Sequence, residues 1–150
     1  IDLQYRIVHR YIGTRSLLYK MGKSDSPNCE LCLMNPETIE HLFFECFTVK
    51  NFWFKLIEQY GNYVQLNLSI TCSNVILKYD IASDFDNQVI NILILYGKKF
   101  IYNCKMNTQN IIITNFARYM YKEVLLMEKL HKNNEHFGFI KGFLCEKFDL

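Results

Sequence analysis

The sequence predicts a mainly α-helical protein, with a small zinc-stabilised helical hook near its start packed on, or followed by, a helical subdomain. Three observations carry this. Cys29-Glu-Leu-Cys32 is followed after eight residues by His41 and after four more by Cys46, a C-x2-C-x8-H-x4-C array. Val49, Phe52, Trp53, Leu56, Ile57 and Tyr60 recur at the spacing of one helix face. Beyond residue 108, Ile113, Ala117, Met120, Val124 and Met127 gather on one side of a helix at ~100° per residue, with Arg118, Lys122, Lys129 and Lys132 opposite.

Each element follows in order. Leu3, Ile7 and Tyr11 repeat every four residues; Thr14 is placed to cap a short helix through Leu17, Leu18 and Met21, closed by Gly22. Asn35-Pro36-Glu37 reads as a helix start, with Asn35 as cap, Pro36 in the first turn and Glu37 at the positive helix end, so that His41 projects from that helix. Thr48 is expected to cap the next helix and Gly61 to end it. Its stripe is read as core, so Trp53 is not a base-stacking residue. Residues 62–83, rich in Asn, Ser and Thr, read as a connector, with Val75–Tyr79 as a strand or tethered loop. A long helix is expected from Asp84 to Lys105, buried around Val89–Tyr96, with Gly97 against its continuity. A last helix runs from about Thr108 or Asn110 to Leu130. Phe137, Phe139, Phe143 and Phe148 then read as packing groups. The expected division is 1–60 for the zinc unit, 61–83 for the connector and 84–150 for the helical part.

A tetrahedral zinc ion takes four thiolate or imidazole ligands, and a C-x2-C turn followed by a second pair is how short loops supply them. Cys29, Cys32, His41 and Cys46 are therefore assigned to one Zn2+. Three thiolates on one divalent ion leave about one negative charge and no open position, which makes the ion structural. A composition that reads as intracellular, without a secretory leader, argues against disulfides. Cys72, Cys104 and Cys145 are expected as buried thiols. The chain starts at Ile1 without an initiator Met, so it reads as a piece of something longer. Its longest apolar run, Val89–Tyr96, is interrupted by Asn91 and far short of the ~20 residues a membrane span needs.

The formal net charge is only +2 but is unevenly placed. Residues 1–23 carry Arg6, Arg10, Arg15, Lys20 and Lys23 against Asp2 alone. Residues 24–46 carry five carboxylates and no Lys or Arg. Residues 98–132 carry seven cations against Glu123 and Glu128. Two basic segments thus flank an acidic hook, an arrangement suited to nucleic-acid phosphate, and Arg6, Arg10, Arg15, Arg118, Lys122, Lys129 and Lys132 are the candidate contacts. The same face also reads as the ordinary solvated side of a helix.

The run Thr14, Leu17, Leu18, Gly22, Cys29, Cys32, Glu37, Thr38, His41, Leu42, Phe43, Cys46 and Trp53 resembles the zinc-binding domain that follows the reverse transcriptase in LINE-type non-LTR retrotransposon polyproteins. Ile92–Tyr102 is similar to the helix after that unit, so the resemblance spans roughly residues 1–130. It implies a non-catalytic appendage that holds RNA template or target DNA during target-primed reverse transcription, bound to the rest of the polyprotein, in the nucleus or a cytoplasmic ribonucleoprotein. No small-molecule substrate is implied. The rival reading is a zinc-stabilised interaction module that docks on the polymerase body or a host partner. Catalysis is not expected of this chain. A polymerase needs paired aspartates after an aromatic residue, and Tyr79-Asp80 lacks the second. The restriction-like nuclease of some related elements needs carboxylates and a lysine for metal-assisted hydrolysis, and Glu146, Lys147 and Asp149 lack the Glu-x-Lys spacing. His9, His131 and His136 have no interpretable partner.

Overall fold

The computed structural model describes residues 2–130 and 134–150. Among the described residues seven α-helices follow one another: α1 Leu3–Val8, α2 Arg15–Lys20, α3 Phe47–Val64, α4 Cys72–Ile76, α5 Asp84–Met106, α6 Ile113–Leu130 and α7 Glu135–Phe148, with a π-helical turn His41–Glu45 just before α3. Among the described residues the only β-pairing is an isolated bridge between Asn28 and Pro36. No described helix is long and apolar enough to cross a membrane.

Helix α3 buries Val49, Phe52, Trp53, Leu56, Ile57 and Tyr60, the stripe its periodicity predicts. It starts two residues earlier than expected, because Cys46 rather than Thr48 stands at its cap. Gly61 does not end it. The helix continues to Val64 and closes through Gln65 in the left-handed region, φ 58°, with Leu66 N donating to Gly61 O at 2.9 Å. Gly61 is needed for that return, since a Cβ there would sit 2.6 Å from Leu66 O.

The connector expected at 62–83 contains α4 rather than a strand. Thr71 and Asn74 form a reciprocal capping box at its start, which satisfies two otherwise orphaned donors. Val75 and Tyr79 are buried, and Asn91 of α5 clamps Tyr79 by accepting from its N at 2.9 Å and donating to its O at 2.8 Å.

Helix α5 is the central element, capped by Ser83, whose hydroxyl accepts from Asp86 N. Eleven of its residues are buried, from Val89 to Lys105. It runs unbroken through Gly97, and tertiary packing overrides the glycine's poor helix propensity: a Cβ at 97 would lie 2.4 Å from Trp53 Cη2. Gly97 is what lets α5 cross α3 against the indole. The tail after Asn133 forms α7, a helix the periodicity did not reveal. Phe143 is buried and Phe139 packs edge-on to Tyr63 and Phe85, while α7 also lies on α6. A single hydrophobic core extends from Ile7 in α1 to Leu144 in α7.

Candidate metal centre

The hook is a short loop closed on itself. Cys29 N donates to Asn35 O at 2.8 Å and Glu37 N to Pro27 O at 2.9 Å, so residues 27–37 fold back as a knuckle carrying the first cysteine pair. Leu33 N returns to Cys29 O at 2.8 Å, with Leu33 in the left-handed region. The helix start expected at Asn35-Pro36-Glu37 is not there: Pro36 takes part in the bridge to Asn28. Thr38 performs the capping instead, its hydroxyl accepting from His41 N at 3.0 Å.

The four predicted ligands converge. Their donor atoms all lie within 4.8 Å of one another. Cys29 Sγ and Cys46 Sγ are 4.0 Å apart, and Cys32 Sγ is 3.4 Å from His41 Nε2. A tetrahedral zinc with bonds of ~2.3 Å to sulfur and ~2.0 Å to nitrogen needs donors roughly 3.5–3.8 Å apart, so the chain's own geometry fits the ion. Cys29, His41 and Cys46 are buried and Cys32 is half-buried. The π-turn explains the H-x4-C spacing. On an ordinary α-helix residues five apart point ~140° away from each other, whereas the wider turn, closed by Cys46 N donating to His41 O at 2.9 Å, brings His41 and Cys46 to one side.

The Cys46 thiol is lowered to about 7, first by the hydrogen bond from the Cys29 thiol and further by the Thr48 and Val49 amides at the start of α3. The Cys29 thiol is raised by that same hydrogen bond and by burial. Zinc replaces these protons when it binds. With four protein donors the ion is structural and keeps no water for hydrolysis.

Two features that the sequence did not disclose tie this centre to the helices. Trp53 Nε1 donates to Phe43 O at 2.7 Å, anchoring the π-turn to the α3–α5 crossing. Glu37, fully buried, receives Lys105 Nζ from the end of α5 on Oε1, which also accepts from Arg15 N at 2.9 Å. The helix-end role expected of Glu37 is thus replaced by a buried ion pair with a lysine 68 residues away. No periodicity or local spacing announces such a pairing.

The candidate cations separate into two groups. Arg10 pairs with Glu40 and Arg15 with Glu30 at 2.6 Å, so the acidic hook takes up two cations of the first basic segment, while Lys20 and Lys23 stay exposed. Arg6 lies over the Tyr102 ring and donates through Nε to Tyr11 O. Arg118, Lys122 and Lys129 are exposed along α6, and no salt bridge among the described residues engages them. Lys132 lies outside the described residues, as does His131. Lys98 and Lys105, counted in the second basic segment, are buried and used inside the protein. Lys147 pairs with its neighbour Glu146 at 3.1 Å.

Comparison with curated proteins and with solved structures gave no match. A family model did match. Residues 3–53, which contain all four converging donors, match the family described as zinc-binding in reverse transcriptase, and that match together with the converging Cys3His cluster supports one structural zinc in this segment.

Proposed function

We propose that this chain is a non-catalytic nucleic-acid-binding appendage of a LINE-type, non-LTR reverse transcriptase, holding RNA template or target DNA for a polymerase centre carried elsewhere in a longer polyprotein. The observation that carries the reading is the α6 ridge, Arg118, Lys122 and Lys129, exposed and engaged by no salt bridge among the described residues, whereas Arg10 and Arg15 are paired. Phosphate contacts of this kind position a strand without specifying its sequence. If all three meet phosphates, affinity for a single strand falls with salt at a log-log slope of about −2, from ~0.7 per phosphate.

Fluorescence anisotropy across a salt series tests this. Lys122→Glu with Lys129→Glu should weaken binding to every oligonucleotide alike and flatten the slope, with folding intact because both side chains point to solvent. Affinity that ignores salt and the double reversal removes the proposal. It would then favour docking on a protein, for which one observation speaks: Leu33, Met34 and Phe47, next in sequence to zinc ligands or nearly so, are 74%, 78% and 81% exposed.

A further inference from the structure

A groove of about 720 Å³ lies between the last turn of α5 and the first turns of α6. Asn103, Gln109, Asn110 and Asn115 line it with Arg118 and Tyr119, and no carboxylate does. The side-chain amides of Asn103, Gln109 and Asn110 are exposed, and no hydrogen bond among the described residues uses them. Tyr119 forms a ring wall stacked on Phe100, centroids 5.9 Å apart and planes 29° apart. The connecting loop is fixed in place: Gln109 N donates to Cys104 O at 2.8 Å, and Cys104 Sγ reaches Asn110 O at 3.8 Å.

This is the chemistry that recognises a nucleobase. A primary amide carries a donor and an acceptor side by side, matching the paired donor and acceptor on a base edge. Single strands are read by stacking unpaired bases on aromatic rings and bonding their edges. A surface that met phosphates alone would need neither the amides nor the ring. Arg118 belongs both to the groove and to the α6 ridge, and Lys122 follows one turn later on the same helix, so a backbone tracking the ridge passes the groove mouth.

We propose that the groove receives one base of a single-stranded nucleic acid, its edge held by Asn103, Gln109 and Asn110, its face beside Tyr119 and its flanking phosphate on Arg118. This rests on the reading of α6 as a phosphate-binding ridge and adds base selection to it. The test uses the zinc-loaded full chain and fluorescein-labelled oligonucleotides of one length: four homopolymers, and one homopolymer with abasic positions throughout. Wild type should bind the homopolymers unequally and should lose about tenfold in affinity for the abasic strand, the order expected for one stacked base.

Asn103→Ala with Gln109→Ala should bring the homopolymer affinities together while leaving the salt slope unchanged. Both side chains are exposed, so helicity and zinc content should match wild type; should they not, the abasic comparison decides without any variant. Equal affinity for all homopolymers and the abasic strand, with normal salt dependence, overturns the groove alone. No binding to any strand overturns the nucleic-acid reading and the groove with it.

Discussion

Lys98 sits 3% exposed inside the protein, donating from Nζ to Val75 O at 2.8 Å and to Gln4 Oε1, with no salt bridge to a described carboxylate. Burial lowers its ammonium to about 8, against a weak opposing pull from Asp2. An unfolded chain releases this proton only near 10.5. Between about pH 8 and 10.5 the unfolded state therefore binds more protons than the folded one, and stability rises with pH across that window. The gain is on the order of 3 kcal/mol at its limit. Denaturant titrations of the zinc-loaded protein at intervals from pH 7.5 to 9.5 should show the rise, and Lys98→Met should flatten it. A fall in wild-type stability over that range would contradict the assignment.

Gly97 makes a second prediction at this scale. Helix propensity alone would have Gly97→Ala stabilise α5 by ~1 kcal/mol. The new methyl meets the Trp53 ring, and the indole is held by its bond to Phe43 O, so overpacking should win and leave a net loss of about 1–3 kcal/mol. Chemical denaturation followed by Trp53 fluorescence measures it; a gain in stability would show that the two helices can separate freely.

Among the helical elements, α1, α2 and α5 end in the same way. A residue in the left-handed region lets the chain turn back and satisfy the last carbonyls, at Arg10, Gly22 and Thr108 in turn. At the end of α5 the pattern is complete, with Thr108 N on Lys105 O and Gln109 N on Cys104 O. Thr108 is β-branched at φ 53°, where the side chain crowds its own backbone. Thr108→Gly should relieve roughly 1 kcal/mol of that strain, partly offset by the greater freedom of glycine in the unfolded chain. Thermal melting should therefore show a small rise in midpoint with an unchanged cooperative transition; a clear drop would mean that Thr108 makes a compensating contact.

The zinc hook is coupled to the helices, because the hook's turn lies in the same core as α3 and α5. Metal binding on the order of 10 kcal/mol is then folding free energy. Chelation should unfold residues 27–46 first, read by hydrogen exchange, and disturb Trp53 fluorescence through the lost Phe43 contact. Cys29→Ser or His41→Ala should reproduce the effect. Unchanged helicity and melting without metal would remove the structural role.

The Glu37–Lys105 pair is the other tie across the molecule. Glu37→Gln alone should cost about 3–5 kcal/mol by leaving Lys105 buried and unpaired, whereas Glu37→Leu with Lys105→Met should recover most of that. A double-mutant cycle with no coupling would show that the pair is not formed in solution.

The sequence by itself determined what rests on local periodicity and short-range ligand spacing. The α3 stripe, the extent of α5, the Thr14 cap and the four metal donors were all legible, since each is fixed by residues within a few turns of one another. Its errors were also local and had tertiary causes. Asn35 and Pro36 carry a helix-start signal, yet closure of the metal knuckle requires extended backbone there. Gly97 reads as a helix breaker until Trp53 is seen against it. α7 was missed because Gly138 and Gly142 and its scattered aromatic residues hide the stripe that α5 and α6 bury.

Only the tertiary structure decided which charges are paired or buried. Arg10 and Arg15 are paired with carboxylates of the acidic hook, and Lys98 and Lys105 turn inward, while Arg118, Lys122 and Lys129 are exposed with no salt bridge among the described residues. Charge counted along a chain cannot foretell this, because the partners lie tens of residues apart and are chosen by how the helices pack.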